Sequence, residues 1–358
     1  MRILLIADYY PAYLASFHKS QSVCGLKYDA AQDLMLEDYF GVFGTFRNYF
    51  RKIGHACDLL IGNDYPQQNK WLAEAGERVV ATAQNKQQVV LKQIEAYKPD
   101  VIFIGSMFDY YGDFMRKAAA VTRNVFTWIS CPHPKGLDFS GIRCVMSSVD
   151  GFVEQFRSQG LASAKLDAAF DADIVTRIGP QPKKYQVTFI GGLSRGSHSF
   201  RLGMLKELIK QGVSVDLWGY GLDRGWVFPS PLKKHFHGEL WGLDYYRILA
   251  QSKITLNFHV DVAKTAGFAG NMRTYEATGC GALLLTDSGP KLRELFDTEN
   301  EVSVYSDPVD LARKISTFLG DDERRERIAA EGQAACHARH GYGARIRDFE
   351  RILAKYSV

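Results

Sequence analysis

Short apolar runs of strand length alternate along this chain with longer stretches in which apolar side chains recur every three or four positions. That alternation of periods predicts parallel strands covered by helices. In the first half it predicts a strand at 3–7 and a helix at 45–53, with Phe46, Tyr49, Phe50 and Ile53 on one face and Gly54 ending it. A strand at 57–61, a helix at 86–97 carrying Val90, Leu91 and Ile94, and strands at 101–104 and 125–130 follow. Nearly unbroken apolar strands of this kind belong to a sheet buried on both faces.

Two prolines and a glycine crowd the stretch from Ile178 to Lys184, which denies both helix and central strand and marks a domain boundary. The alternation then restarts, with strands at 187–190, 213–218, 254–258, 282–286 and 302–305 and helices at 200–210, 244–251 and 272–278. From Pro308 the pattern is helical with charged faces, ending at 342–356. The expected architecture is α/β: two doubly wound, Rossmann-like domains at 1–180 and 181–341 with their ligand rims across one cleft, and a last helix, 342–358, packing back on the first.

Composition narrows the class without changing the fold. At 358 residues, 46% of them hydrophobic and 23% charged, the chain has material for two ordinary domains and none of the bias of disorder. The net charge of +4 is spread through interleaved acids and bases, which argues against nucleic acid as a partner. The six cysteines are scattered and read as reduced thiols. The opening apolar run meets Asp8 at once and is too short for a signal peptide, and no apolar run approaches the roughly 20 residues that span a bilayer. A cytoplasmic protein is expected, with peripheral contact at the inner face of a membrane left open.

Ligands of open parallel sheets sit beyond the carboxyl ends of the strands. The residues there are polar: Asp8-Tyr9-Tyr10, then Gly105 to Asp109, Cys131-Pro132-His133-Pro134, Gly191-Gly192 to Gly196, Trp218-Gly219-Tyr220-Gly221, and Asn257 to His259. The Gly191-Gly192 turn opens a helix, so its amides suit a diphosphate, with Arg195 or Arg201 adding charge. The alternative is a glycine turn needed only for packing. Neither Gly-x-Gly-x-x-Gly nor Gly-Lys-Ser occurs there, which removes the nicotinamide and P-loop fingerprints. Arg273 and Glu276 are neighbours on one helical face, where a guanidinium suits phosphate oxygens and a carboxylate accepts both hydroxyls of a ribose diol. As a mere surface ion pair they would contribute little.

The run Asn271-Met272-Arg273-Thr274-Tyr275-Glu276-Ala277-Thr278-Gly279-Cys280-Gly281 and the apolar strand after it resemble the C-terminal signature of GT-B glycosyltransferases. The likeness is to the spore-maturation-type (glycosyl transferases group 1) family and, more distantly, to family-four retaining enzymes. It extends through 187–192, 218–221, 237–240 and 256–259, most of the C-terminal half. The resemblance implies a GT-B fold, a nucleotide-sugar donor as substrate with no cofactor or metal, and Glu276 as the ribose ligand, with Gly191, Gly192, Arg195, Asn257, Lys264, Asn271 and Arg273 around the donor. The family-four pattern has another glutamate where this chain has Phe268, so residues 267–271 or Lys264 are left to face the sugar. His133 stands where family-four enzymes carry a histidine near the donor sugar, and a loop cap is its alternative.

Asp8 and Asp109 are candidate general bases for an acceptor hydroxyl, or else turn formers, and His18 is a candidate for the acceptor pocket. Asp171-Ala172-Asp173 spells a metal-binding triplet but lies off any buried strand. His235 and His237 lack ligand company and read as structural. The implied function is transfer of a sugar to a carbohydrate or other hydroxyl acceptor, as in bacterial surface polysaccharide or other glycoconjugate synthesis. A sugar-nucleotide 2-epimerase and a non-catalytic carbohydrate-binding protein of the same fold are the alternatives.

Overall fold

The structure is a computed structural model that describes every residue except Ser106, Lys135, residues 195–197, 222–230 and 260–270, Ser288 and Pro290. The chain divides into two compact units, Met1–Leu166 with Arg345–Val358, and Asp167–Ala344.

In the first unit six parallel strands stand in the order β2-β1-β3-β4-β5-β6. They are β1 (Arg2–Ala7), β2 (Ala56–Ile61), β3 (Val101–Ile104), β4 (Val125–Trp128), β5 (Cys144–Ser147) and β6 (Ser163–Lys165). Ile3, Leu4, Leu5 and Ile6 are all fully buried, as a strand covered on both faces requires. The helix Phe43–Lys52 covers one face by aiming Phe43 and Phe46 at Phe103 of β3, with ring centroids 5.0 and 5.7 Å apart. On the same side Phe349 of the last helix, Tyr342–Tyr356, meets Phe50 at 5.2 Å and Phe103 at 4.9 Å. The chain end is pinned there by Val358, whose N–H donates to the Asn124 side chain at 3.0 Å.

In the second unit five parallel strands stand in the order β11-β10-β9-β7-β8. They are β7 (Tyr185–Ile190), β8 (Asp216–Trp218), β9 (Ser252–Asn257), β10 (Leu283–Asp287) and β11 (Ser303–Tyr305). Leu202, Leu205 and Leu208 of the helix Ser199–Lys210 join Val187, Phe189, Leu256 and Leu285 in its core.

Some elements differ from expectation. The proline-bearing stretch at 178–184 lies inside the second unit, because the segment before it is anchored there. Phe170 stacks on His337 at 5.6 Å, and its N–H donates to the His340 carbonyl at 2.9 Å. Lys183 ties the stretch down by donating to the carbonyls of Ala250, Ser252 and Gly281. β8 is shorter than the run at 213–218, because Gly212 and Val213 close the preceding helix by bonding back to Ile209 and Leu208. All six cysteines are free, and none of the described helices is long and apolar enough to cross a membrane.

Candidate functional site

Both sheets reverse direction at an interior strand. In the first the chain goes from β1 outward to β2 and then to the other side at β3, and in the second from β7 to β8 and then to β9. Such a switch point opens a crevice beyond the carboxyl ends of the two diverging strands, where ligands of these folds bind.

At the second switch point Gly191 and Gly192 follow β7. The Gly191 N–H donates to the Trp218 carbonyl at 3.0 Å and that of Leu193 to Tyr220 at 2.9 Å, so these amides tie the turn to the end of β8 and are not free for phosphate. The approach is close enough to demand Gly219, at φ 151°, where a Cβ would overlap the Gly191 carbonyl oxygen. The charge comes instead from two arginines laid across the crevice. Arg201 donates from Nη1 to the Gly192 carbonyl at 2.8 Å and from Nη2 to Phe258 beyond β9 at 3.1 Å. Arg273 donates from Nη2 to the Ile190 carbonyl.

Each arginine keeps a buried donor, Arg201 Nε and Arg273 Nη1, that finds no partner among the described residues. A buried N–H left unpaired costs on the order of 1–3 kcal/mol, so such groups call for an acceptor. Burial and the neighbouring Arg273 charge push Arg201 down to about 10. Two guanidiniums this near, each with a spare donor, form a receptor for a polyanion.

Asn271 caps the helix Met272–Gly279, accepting from the Thr274 N–H at 3.2 Å. Its amide also donates to Asn257 Oδ1 at 2.9 Å, while Asn257 Nδ2 reaches Thr286 at 3.0 Å. These two asparagines therefore hold the helix to β9 and β10. The helix presents Arg273 and Glu276 to Tyr245: the guanidinium lies 4.8 Å over its ring, and its hydroxyl donates to Glu276 Oε2. Burial raises the half-buried Glu276 carboxyl above its ordinary range, against the opposing pull of Arg273 and Tyr245. Just past β9, buried His259 pairs through Nδ1 with Asp287, the last residue of β10, at 2.6 Å. Arg195, Lys264 and Phe268 lie outside the described residues.

At the first switch point Asp8 follows β1. Lys86, at the start of the helix Lys86–Tyr97, binds Asp8 Oδ2 and stands 3.4 Å from Asp109 Oδ1, while the Tyr110 hydroxyl donates to Asp8 Oδ1 at 2.7 Å. The structure thus joins both candidate bases around a lysine that their spacing does not reveal. Burial raises the Asp8 carboxyl, opposed by the hydrogen bonds of Lys86 and Tyr110. The group borders a cavity of about 860 Å³ that reaches from Asn63 and Tyr65 to Gly105 and Phe108.

The other candidates have their own surroundings within each unit. His133 lines a different cavity of about 590 Å³ with Phe152 and Gln155, its ring 5.1 Å from that of Phe156, and its buried Nδ1 has no partner among the described residues. His18 Nε2 pairs with fully buried Asp64 at 2.8 Å. Asp171 accepts from the Asp173 N–H at 3.1 Å at the start of a helix, the role of a turn former. His237 binds Asp216 at 2.7 Å and lies over Trp218. Among the described residues no group of three or more His, Cys, Asp or Glu side chains is placed to hold a metal ion.

Residues 200–351 match the model of the glycosyl transferase-like family. No curated protein matches in sequence. Solved structures match over nearly the whole chain. HepE from Anabaena, determined in complex with UDP-glucose, is 14% identical with a TM-score of 0.62, covering 99% of this chain and 100% of that one. A glycosyltransferase from Rickettsia africae is 10% identical with a TM-score of 0.56, covering 99% of this chain and 98% of that one. Sucrose-phosphate synthase from Thermosynechococcus elongatus is 11% identical with a TM-score of 0.53, at the same coverages of 99% and 98%. The chain has the GT-B fold, and its C-terminal part is glycosyl transferase-like in sequence.

Proposed function

We propose that this chain is a glycosyltransferase that binds a nucleotide sugar at the second switch point and moves the sugar to a carbohydrate or other hydroxyl acceptor held by the first unit. The observation that carries this reading is the pair of spare, buried guanidinium donors of Arg201 and Arg273 beside Glu276. Diphosphate oxygens would satisfy those donors, and the Glu276 carboxylate would accept from the ribose hydroxyls. The family match over 200–351 and the binding of UDP-glucose by Anabaena HepE, which shares the fold, support it.

In the transfer, the acceptor oxygen bonds to the anomeric carbon as the bond from that carbon to the diphosphate breaks. The diphosphate leaves with the electron pair, and the two arginines stabilise its growing charge in a crevice where water screens poorly. The acceptor proton goes to a carboxylate, for which Asp8, with Asp109 across Lys86, is the better placed candidate, bordering a cavity. His133 stays a candidate near the donor sugar. Since the arginines supply positive charge at the diphosphate, the reaction is proposed to need no metal. The work is proposed to be cytoplasmic, at or near the inner face of a membrane, in surface polysaccharide or other glycoconjugate synthesis.

The test is turnover of UDP-, GDP-, ADP- and TDP-sugars by the full chain with and without saccharide acceptors, in the presence of a metal chelator. Release of nucleoside diphosphate that depends on an acceptor supports transfer. Conversion of the donor alone to an isomeric sugar nucleotide would instead mark a 2-epimerase.

A further inference from the structure

The acceptor side carries chemistry that narrows what it takes. Among the described residues, Lys86 is the cation that meets the Asp8 cluster: it binds Asp8, stands 3.4 Å from Asp109, and holds its ammonium 5.0 Å over the Tyr110 ring. With one ammonium between two carboxylates, acids outnumber bases among the described residues at this corner of the cavity. Around it the rest of the described lining is uncharged, including the rings of Tyr10, Tyr65 and Phe108 and the amides of Gln84 and Gln88. Flat apolar faces beside amide and carboxylate acceptors fit the two surfaces of a sugar ring, its C–H face and its hydroxyl rim. An anionic ligand would have to approach Asp8 and Asp109 against their charge. At about 860 Å³ the cavity lies in the range of roughly 300–1,000 Å³ common for small-ligand sites.

The cluster is also held in one geometry. Tyr110 is fully buried, and its hydroxyl reaches Asp8 only because Gly62, just past β2, has no side chain. A Cβ on Gly62 would overlap the Tyr110 hydroxyl and stand 3.0 Å from Asp8 Oδ1.

We infer that Lys86 and Tyr110 are positioning residues that fix the Asp8 carboxylate at the edge of a subsite selecting an uncharged, hydroxyl-rich saccharide over anionic sugars. This names the acceptor class of the transferase and so rests on the proposed function. Asp8 touches the acceptor hydroxyl, Lys86 opposes the upward pull of burial on its carboxyl, and Tyr110 sets its rotamer. Among the described residues, the other titratable groups facing the cluster are Asp109 and Tyr65.

The experiment is ligand-observed NMR and calorimetry on the full chain, without nucleotide. The probes are maltose, cellobiose and lactose, with glucuronic acid and glucose 6-phosphate as anionic counterparts. At least one neutral disaccharide should bind, and both anions should bind at least about tenfold more weakly. Lys86→Met and Gly62→Ala should each weaken the neutral ligand by roughly tenfold, and Lys86→Arg should recover most of the loss. The Lys86→Met loss should grow as the pH falls, because without the ammonium Asp8 protonates at a higher pH. Asp109→Lys, a change at an exposed side chain that holds the question open should Lys86→Met fail to fold, should raise glucuronic acid binding. Anions binding as well as neutral sugars, no binding by any of the three disaccharides, an Asp109→Lys variant no better for glucuronic acid, or folded Lys86→Met and Gly62→Ala proteins that bind normally would each overturn the inference. Nucleoside diphosphate binding, measured separately, reports on the proposed function. If it is absent while saccharide selection holds, the transferase reading fails and the subsite stands.

Discussion

The two sheets share one strand order and one kind of switch point, yet the crevices they open carry opposite chemistry. In the first, the cation is consumed: Lys86 is bound by Asp8 and faced by Asp109, so among the described residues acids outnumber bases. In the second, the cations keep capacity in reserve, since Arg201 and Arg273 give part of their guanidinium to main-chain carbonyls and hold other donors back. Topology therefore says where a ligand binds but not which ligand. The balance of satisfied and unsatisfied donors separates a site for a polyanion from a site for hydroxyls.

The largest effect that would break this contrast is expected at Asp8. Asp8→Asn should lower sugar transfer by roughly 10²–10⁴-fold, the range of a lost general base, while nucleoside diphosphate affinity stays as in the parent protein. Equal loss of both in steady-state and calorimetric measurements would mean that the two crevices do not divide the labour.

A smaller effect sharpens the role of Glu276. The parent protein should prefer a ribonucleoside diphosphate over its 2′-deoxy form by about tenfold, and Glu276→Gln should largely erase that preference by weakening the ribo form alone. Competition titrations with the paired nucleotides measure it.

How much of this was legible in the sequence differs between the crevices. Arg273 and Glu276 lie within one helical turn and inside a recognisable segment, so spacing alone put them on one face. Lys86 is 78 positions from Asp8, Tyr110 is 102 away, and Tyr245 is 31 from Glu276. No local period encodes such meetings, which exist only after the strands have set their order. The helices 86–97 and 342–356 were legible because their apolar spacing is regular. The helix Pro11–Ser20 was not assigned from sequence; its Pro11 sits at the first helical turn, where the missing N–H costs nothing. Asn257 and Asn271 looked like ligand groups from sequence, but their amides bond to each other.

Acidity offers a third probe. The Glu276 carboxyl, raised by burial, takes up a proton at a higher pH than an ordinary glutamate. Nucleotide affinity should therefore begin to fall on acidification while exposed carboxylates are still ionised, and Glu276→Gln should flatten that limb. The same direction bears on stability: a carboxyl whose folded pKa is raised binds its proton more tightly in the folded state, so its ionisation costs stability as the pH rises through that pKa. Glu276→Gln should thus melt no lower than the parent at neutral pH while binding nucleotide less well. A lower melting temperature together with unchanged binding would make the residue structural.

The smallest effect is expected at Tyr245. Tyr245→Phe keeps the ring beneath Arg273 and removes one hydrogen bond to Glu276, so it should cost about 1 kcal/mol or less in nucleotide binding. Tyr245→Ala should cost more, because it also removes the surface on which the guanidinium rests.

The most direct measurement is a calorimetric titration of the parent protein and of Arg273→Met with UDP, ADP, GDP, CDP and TDP. One of these nucleotides should bind the parent at micromolar to low millimolar concentration, and Arg273→Met should lose at least roughly tenfold, about 1.4 kcal/mol, for that same nucleotide. A parent protein that binds none of the five, or a variant that binds as tightly as the parent, would contradict the assignment of the two spare guanidinium donors to a diphosphate.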